Sequence, residues 1–404
     1  MQSDVSIHGA NKAENFVIVL ILASIALFIK LILSYNVYGT NDVSYYSAFS
    51  EIIQKFGTFK IYSLVPIYNH PPLMSGILKL IKLVETKSHF NFPFLFRLLP
   101  IFADYASIFI IWKLLKKYKI KNKVLICLVC IINPINFLVS GFHGNTDPVF
   151  IFFILLTIYF AENDNFIFSG LIYGVSMCVK IVPIILAPAL FFYLRDSRKR
   201  ITFFLSSLVL PSIVFLPYLL KDFYPVTKNI FLYSSLKGIW GLGHVLVSIV
   251  ANENININIR NFTYTVFKFH IAYGIIIFFM LSILLSKFFI SNKKVNLVEV
   301  TFLVFCLFLV ITPGFGVQYL SWLPLFAVIV SPKLGMIYML LGGFFLYRVY
   351  AYWSGGLPLY YADSDSIGQW IGFEKTLDII LWLLIILMLT KFLLEKAAPV
   401  VLGD

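Results

Sequence analysis

The chain has 404 residues, of which 60% are hydrophobic and 13% charged, about half the charged fraction of ~25% usual in soluble domains. That balance excludes a soluble globular enzyme and makes the chain a polytopic membrane protein. Its formal charge of +13 falls mostly in short basic clusters between hydrophobic runs, the pattern of cytoplasmic loops, so it reads as topology and no nucleic-acid partner is expected.

The first hydrophobic run long enough to span a bilayer is Phe16 to Tyr35, and the second is Phe94 to Leu115. The lysine-rich "KLLKKYKIKNK" that follows places its loop in the cytoplasm and the stretch 36–91 on the outer face. Val124 to Ser140 then crosses outward and Pro148 to Phe160 returns. Phe166 to Leu194 lies between two inside ends and is expected to be a hairpin of two short helices bending near Lys180 and Pro183, because proline breaks a helix. Ile201 to Leu220 leads into a second outer loop, 221–270, and Ile271 to Ile290 returns to Lys293 and Lys294. Val295 to Thr312, Tyr319 to Val330, Gly335 to Tyr347 and Leu377 to Leu394 follow, with a third outer loop at 349–375. The expected architecture is all-α: one integral-membrane domain over 1–404 with about 12 transmembrane helices, interfacial helices in the first outer loop, and both termini in the cytoplasm.

Several polar groups stand out at the outer ends of these spans. In "GTNDVSYYSAF" the acid Asp42 opens a stretch whose apolar residues Tyr46, Phe49, Ile52, Ile53 and Phe56 recur at helical spacing, as in a helix lying in the interface. Asn41 and Asp42 suit an N-cap, which is the local alternative for the acid. "YNHPPL" puts Asn69 and His70 at a rigid turn before a second surface helix. "VSGFHGNTDPVF" brings His143, Asn145 and Asp147 to the outer end of two spans. An ammonium at the hairpin break, Lys180, calls for an anion, which Asp104, Asp147 or a lipid phosphate could supply, with snorkelling to the surface as the alternative that the bend disfavours. "GFGVQYLSW" presents Gln318, Tyr319 and Trp322, and Arg348 ends a later span at the same face, ahead of "YAYWSGG". Aromatics with Gln and Arg form the wall of a sugar site by stacking and hydrogen bonding. The four cysteines lie in apolar stretches and read as buried thiols. The chain lacks G-x-x-x-x-G-K, a strand-linked dinucleotide fingerprint and G-x-S-x-G, so ATP, NAD and serine-hydrolase chemistry lose their main supports.

The order of "GTND", an aromatic surface helix, "NHPPL", "RLLPIFADY", "NPINFLVSGFHGNTDPVF" and "GVSMCVKIVPIILAP" resembles the GT-C superfamily of integral-membrane glycosyltransferases. The nearest branches are the glucosyltransferases of asparagine-linked glycosylation and the bacterial polyprenol-phosphate-mannose-dependent mannosyltransferases. The resemblance covers most of residues 16–220, and "GFGVQYLSW" extends it. It implies an inverting transfer of a hexose, mannose or glucose, from a polyprenyl-phosphate donor to a glycan or glycolipid acceptor on the non-cytoplasmic face of a membrane, expected to be a bacterial plasma membrane.

Asp42 matches the family's general base. Lys180, Arg348 and His143 are the expected contacts to the donor phosphate, and His70, Asn145, Asp147, Gln318, Tyr319 and Trp322 the expected substrate contacts. Where other branches carry a second acid this chain has Asn41, so no cofactor is expected and a divalent metal is not favoured. The competing readings are a flippase or transporter of lipid-linked oligosaccharide, with Lys180 and the spans' acids lining a pathway, and a glycan polymerase or ligase.

Overall fold

The computed structural model describes residues 3–233, 235–290 and 295–401. Among them, seven helices are long and apolar enough to cross a membrane: Asn15–Asn36, Phe92–Lys117, Lys123–His143, Ser197–Phe231, Ile257–Phe288, Pro332–Trp353 and Phe373–Ala397. Five further apolar helices are shorter: Phe166–Val179, Val182–Tyr193, Gly241–Ala251, Leu297–Ile311 and Val317–Val330. The fold is therefore the all-α membrane bundle expected, but helix length does not establish a count of twelve. Lys293 and Lys294, the expected end of one span, lie outside the described residues.

The short helices are broken where the sequence requires it. Phe166–Val179 stops at Lys180, whose backbone is extended, and the chain turns through Val182–Leu186 before Ala187–Tyr193 returns. Pro183 withholds an amide donor there, while the Tyr173 hydroxyl donates to its carbonyl at 2.7 Å, one of the local repairs that make a break tolerable in apolar surroundings. Both ends of the hairpin sit at one end of the bundle. The Tyr193 hydroxyl donates to Glu162 at 3.1 Å, and nearby Lys117 reaches Asn163 at 3.1 Å.

Phe166–Val179 packs against Ser197–Phe231 through Gly170 and Gly174. A Cβ at these positions would come within 2.3 Å of the Phe203 carbonyl oxygen and 2.6 Å of that of Ser207. Small residues four apart let two membrane helices approach to backbone contact.

Two of the expected outer loops are shorter than their sequence suggests. Ser197–Phe231 continues beyond Leu220 and kinks at Asp222 (φ −143°, ψ 56°), three residues before Pro225. Beyond the kink, Asn229 donates to the Tyr62 carbonyl at 3.1 Å, so this segment packs on the first loop. Gly241–Ala251 is helical, and Ile257–Leu285 starts well before His270. Pro332–Trp353 likewise runs past Tyr347, and the last helix begins at Phe373. Polar and proline residues delay a hydropathy-based start although the helix already exists.

Arg97 joins the first loop to the bundle. It is fully buried, and its guanidinium donates to the carbonyls of Pro93 at 2.9 Å, Phe142 at 3.1 Å and Ser34 at 2.8 Å. Arg97→Met should lower stability by roughly 2–4 kcal/mol, since buried carbonyls lose charge-assisted bonds. Arg97→Lys should rescue little of it, because three donors cannot reproduce the five-donor fork. Thermal unfolding in detergent reads both variants, and a loss below about 1 kcal/mol for Arg97→Met would show the carbonyls resatisfied by water.

Candidate active site

Opposite the Glu162 end, the first loop, the 139–147 turn, the hairpin break, the start of Val317–Val330 and the loop after Trp353 surround one cavity of about 440 Å³. Asp42, Asn69, His70, Asn145, Lys180, Gln318, Tyr319 and Asp365 line it, with Ile67, Ile181 and Ile230 among its apolar walls.

Asp42 is set by backbone on both sides. Gly39 and Thr40 pair in parallel with Tyr361 and Ala362, and the Thr40 hydroxyl donates to the His143 carbonyl at 2.9 Å. The helix Asn41–Phe56 then begins with no side-chain cap, so the capping alternative fails. Asn41 instead accepts from Ser364 at 3.1 Å. One oxygen of Asp42, Oδ2, receives both His143 Nε2 at 2.9 Å and Asn145 Nδ2 at 2.6 Å. Among the described residues, Oδ1 meets no donor. Burial alone would raise the carboxyl's pKa, but the hydrogen bonds from His143 and Asn145 and the Lys180 ammonium hold it below its ordinary value. The acid is therefore an anion with one anchored and one free oxygen.

Gly144 shapes this turn. Its φ is +74°, and a Cβ there would lie 2.5 Å from Val43 and 3.0 Å from Arg97. Glycine thus permits both the left-handed turn and the close approach that carry His143 and Asn145 to Asp42.

Lys180 has found its anion in Asp147, at 2.7 Å to Oδ2, while the Trp322 indole donates to Oδ1. Asp104 is not that partner. It is paired with Lys30 of the first span and accepts from Asn136 at 2.9 Å. The Lys180 ammonium also lies 5.4 Å from the centre of the Tyr319 ring, and Tyr319 stacks on Trp322 at 4.3 Å.

The structure corrects several expected placements. Trp322 and Asp147 are fully buried behind Lys180 and Tyr319 and do not line the cavity. His143 is buried as well, wedged between Asp42 and the Tyr350 hydroxyl at 2.8 Å, so it supports the acid and does not face a donor phosphate. Arg348 lies outside the cavity lining, where it pairs with Glu374 at 2.8 Å. His70 does line the cavity, but burial and then the neighbouring Lys180 push its pKa down to about 3. It is neutral at any working pH and is no cation for a phosphate.

Tyr45, Tyr233, Asp365 and Tyr350 were given no role from sequence. The Tyr45 hydroxyl donates to Asp365, which is 320 residues away in the chain. That bond and burial push the phenol up to about 12, so it remains a donor. No local pattern could have found the pair. Tyr350 sits in the quoted "YAYW", where an interfacial aromatic belt is the simpler reading. Among the described residues, no three His, Cys, Asp or Glu side chains form a metal-ligand group, and the carboxylates lining the cavity are Asp42 and Asp365. All four cysteines are free and buried.

Residues 69–220, which supply His70, the 139–147 turn and Lys180, match the family model described as dolichyl-phosphate-mannose-protein mannosyltransferase. Curated relatives include GPI mannosyltransferase 1 of Kluyveromyces lactis, 26% identical over 191 residues, or 45% of this chain and 46% of the relative. The protein of the same name from Eremothecium gossypii is 30% identical over 131 residues, 32% of this chain and 31% of its own length. That of Saccharomyces cerevisiae is 27% identical over 135 residues, covering 33% and 32%. The matched region thus spans about half the length, or less, of these relatives. This similarity to mannosyltransferases falls on the helices that build the cavity of a membrane bundle, and it supports the resemblance to the GT-C superfamily of integral-membrane glycosyltransferases.

Proposed function

We propose that the protein is an inverting mannosyltransferase that moves one mannose from a polyprenyl-phosphate donor to a glycolipid or glycan acceptor at the non-cytoplasmic face. The observation that carries this reading is the cavity pairing of an ionised Asp42, one oxygen free, with the Lys180 ammonium. The donor class follows the wording of the matched family and the glycolipid acceptor that of the relatives. The outer-face placement rests on the lysine-rich loop after the second span.

In this reading the acceptor hydroxyl approaches Oδ1 of Asp42 and attacks the anomeric carbon from the face opposite the phosphate. The acceptor oxygen–carbon bond forms as the carbon–oxygen bond to phosphate breaks. The hydroxyl proton goes to Asp42, and the bonding pair leaves on the phosphate. A single displacement inverts the anomeric centre. The leaving group is a stable anion, so it needs a cation and donors but no proton. Lys180 supplies the charge, with Gln318 and neutral His70 as polar contacts. A weakly basic carboxylate suffices where the sugar carries cationic character before the proton moves. The apolar wall of Ile67, Ile181 and Ile230 suits the start of the prenyl chain. The step as written needs no metal, because Asn41 stands where other branches of the resembled family carry a second acid.

The test is incubation of purified protein with short-chain polyprenyl-phosphate mannose and glucose and a panel of acceptors, with and without chelator. One added mannose, insensitive to chelator, is expected; loss of transfer under chelator with rescue by a divalent ion would overturn the metal-free step.

The pH dependence follows from the sign of the Asp42 shift. A carboxyl held low in the folded protein is active in its ionised form, so activity is lost only as pH falls through that low value. The stability contributed by the same group is lost in the same direction. The rate should therefore be flat between about pH 5 and 7, above the ordinary carboxylate value of ~3.9. An acid limb centred near pH 6 would assign the base to another group.

A further inference from the structure

From Asp42 inward runs a hydrogen-bonded chain of three groups, the last two buried, whose last member has no role in the step just described. His143 Nε2 lies 2.9 Å from Asp42 Oδ2, and His143 Nδ1 lies 2.8 Å from the Tyr350 hydroxyl. His143 is 3% exposed and Tyr350 fully buried. Among the described residues, the Tyr350 oxygen has no other polar partner.

Hydrogen-bond accounting then leaves one arrangement. If Nδ1 carried the proton in a neutral ring, Nε2 and the Asp42 carboxylate would present lone pairs to each other at 2.9 Å. If both nitrogens carried protons, the phenol would accept from Nδ1 and its own hydrogen would point at nothing in a buried site, which proteins rarely tolerate. A second cation beside the Lys180 ammonium would add repulsion. With the phenol donating to Nδ1 and Nε2–H donating to Asp42, every group is satisfied. We infer that Tyr350 is a positioning residue that holds His143 in the neutral Nε2–H form, which fixes Asp42 as an ionised acceptor with its other oxygen turned to the cavity. This inference rests on the reading of Asp42 as the base.

Other groups also act on Asp42. From the hairpin break comes the Lys180 ammonium, which favours its ionised form. From the 139–147 turn come His143 and Asn145, with the Asp147 charge already neutralised by Lys180. The first loop contributes neutral His70 and the phenols of Tyr45 and Tyr46, and the loop after Trp353 contributes Asp365, held by Tyr45. Tyr233 and Tyr319 face the same space as phenols. None of these touches His143 Nδ1, so Tyr350 acts through the imidazole alone.

Tyr350→Phe removes one oxygen from a packed ring. The Nδ1–H form then becomes accessible, and in that form Asp42 must take a proton to face Nε2. The turnover number should fall about tenfold, less than the ~10²-fold minimum for losing a general base, because Asp42 itself stays in place. The acid limb should move up by roughly one pH unit, and the donor KM should stay within about twofold. In a His143→Gln background, whose amide can donate to Asp42 without tautomers, Tyr350→Phe should no longer move the limb. Nitrogen-15 imidazole spectra of the parent, with His143 assigned by its loss in His143→Gln, should show Nδ1 unprotonated and Nε2 protonated, and this readout needs no activity. A protonated Nδ1 in the parent overturns the inference, as does an unmoved acid limb in Tyr350→Phe. If Asp42→Asn keeps full activity while the spectra show the Nε2–H form, the reading of the base fails and the tautomer lock stands.

Discussion

Asp42→Asn is expected to lose two to four powers of ten in turnover, roughly the worth of a positioned general base, while binding donor with the parent's affinity. The substitution is nearly isosteric, and the amide oxygen can still accept from His143 and Asn145, which meet a single oxygen of the acid. What it removes is the proton acceptor at the free oxygen. Single-turnover transfer from a labelled donor, alongside equilibrium donor binding, separates the two effects. If the variant kept more than a tenth of the parent rate, the base would have to be sought among the other cavity carboxylates. Asp147 would not be the next choice, because it is fully buried with both oxygens engaged by Lys180 and Trp322. Asp365, which lines the cavity, would be.

The second large effect is expected at Lys180. Lys180→Met should abolish donor use and also destabilise the protein by about 3–5 kcal/mol, because it leaves a buried carboxylate without its counter-charge. These consequences can be divided. Lys180→Met combined with Asp147→Asn removes both charges, and the Trp322 indole can still donate to the amide oxygen, so most of the stability should return. Donor use should not return, since the cation facing the cavity is still missing. Thermal unfolding and donor binding on the two variants decide between the roles. Recovery of both would make the ion pair structural, and full stability in Lys180→Met alone would mean that Asp147 is solvated or protonated.

Much of this site was visible in sequence because its parts sit at element ends. Asp42 follows the first span, the 139–147 cluster lies between two spans, and the Lys180 break is forced by Pro183. An ammonium at such a break had to have an anion, although composition could not choose between Asp104 and Asp147. The structure chooses by geometry: Lys30, buried in the first span, has already taken Asp104. Arg348 misled for a related reason. Its place at a span's end suggested the site, but Glu374, 26 residues on, neutralises it there.

Tyr350 and Asp365 were not legible because their meaning lies in partners more than 200 residues away, His143 and Tyr45. The two-residue strand pairing of Gly39 and Thr40 with Tyr361 and Ala362, which carries the late loop to the cavity, leaves no alternation to read. Loop lengths were overestimated where helices extend past the apolar core of a span. Backbone hydrogen bonding continues there while hydropathy has already fallen.

The stereochemistry and mass of the product distinguish single displacement from a polyprenyl-phosphate donor from the other routes. Purified protein given a short-chain polyprenyl-phosphate mannose of defined anomeric configuration and a glycolipid acceptor should yield acceptor heavier by one hexose, with the anomeric configuration inverted by NMR and the polyprenyl phosphate released in equal amount. Retained configuration, a sugar covalently attached to the protein, or transfer only from a nucleotide sugar would contradict the account.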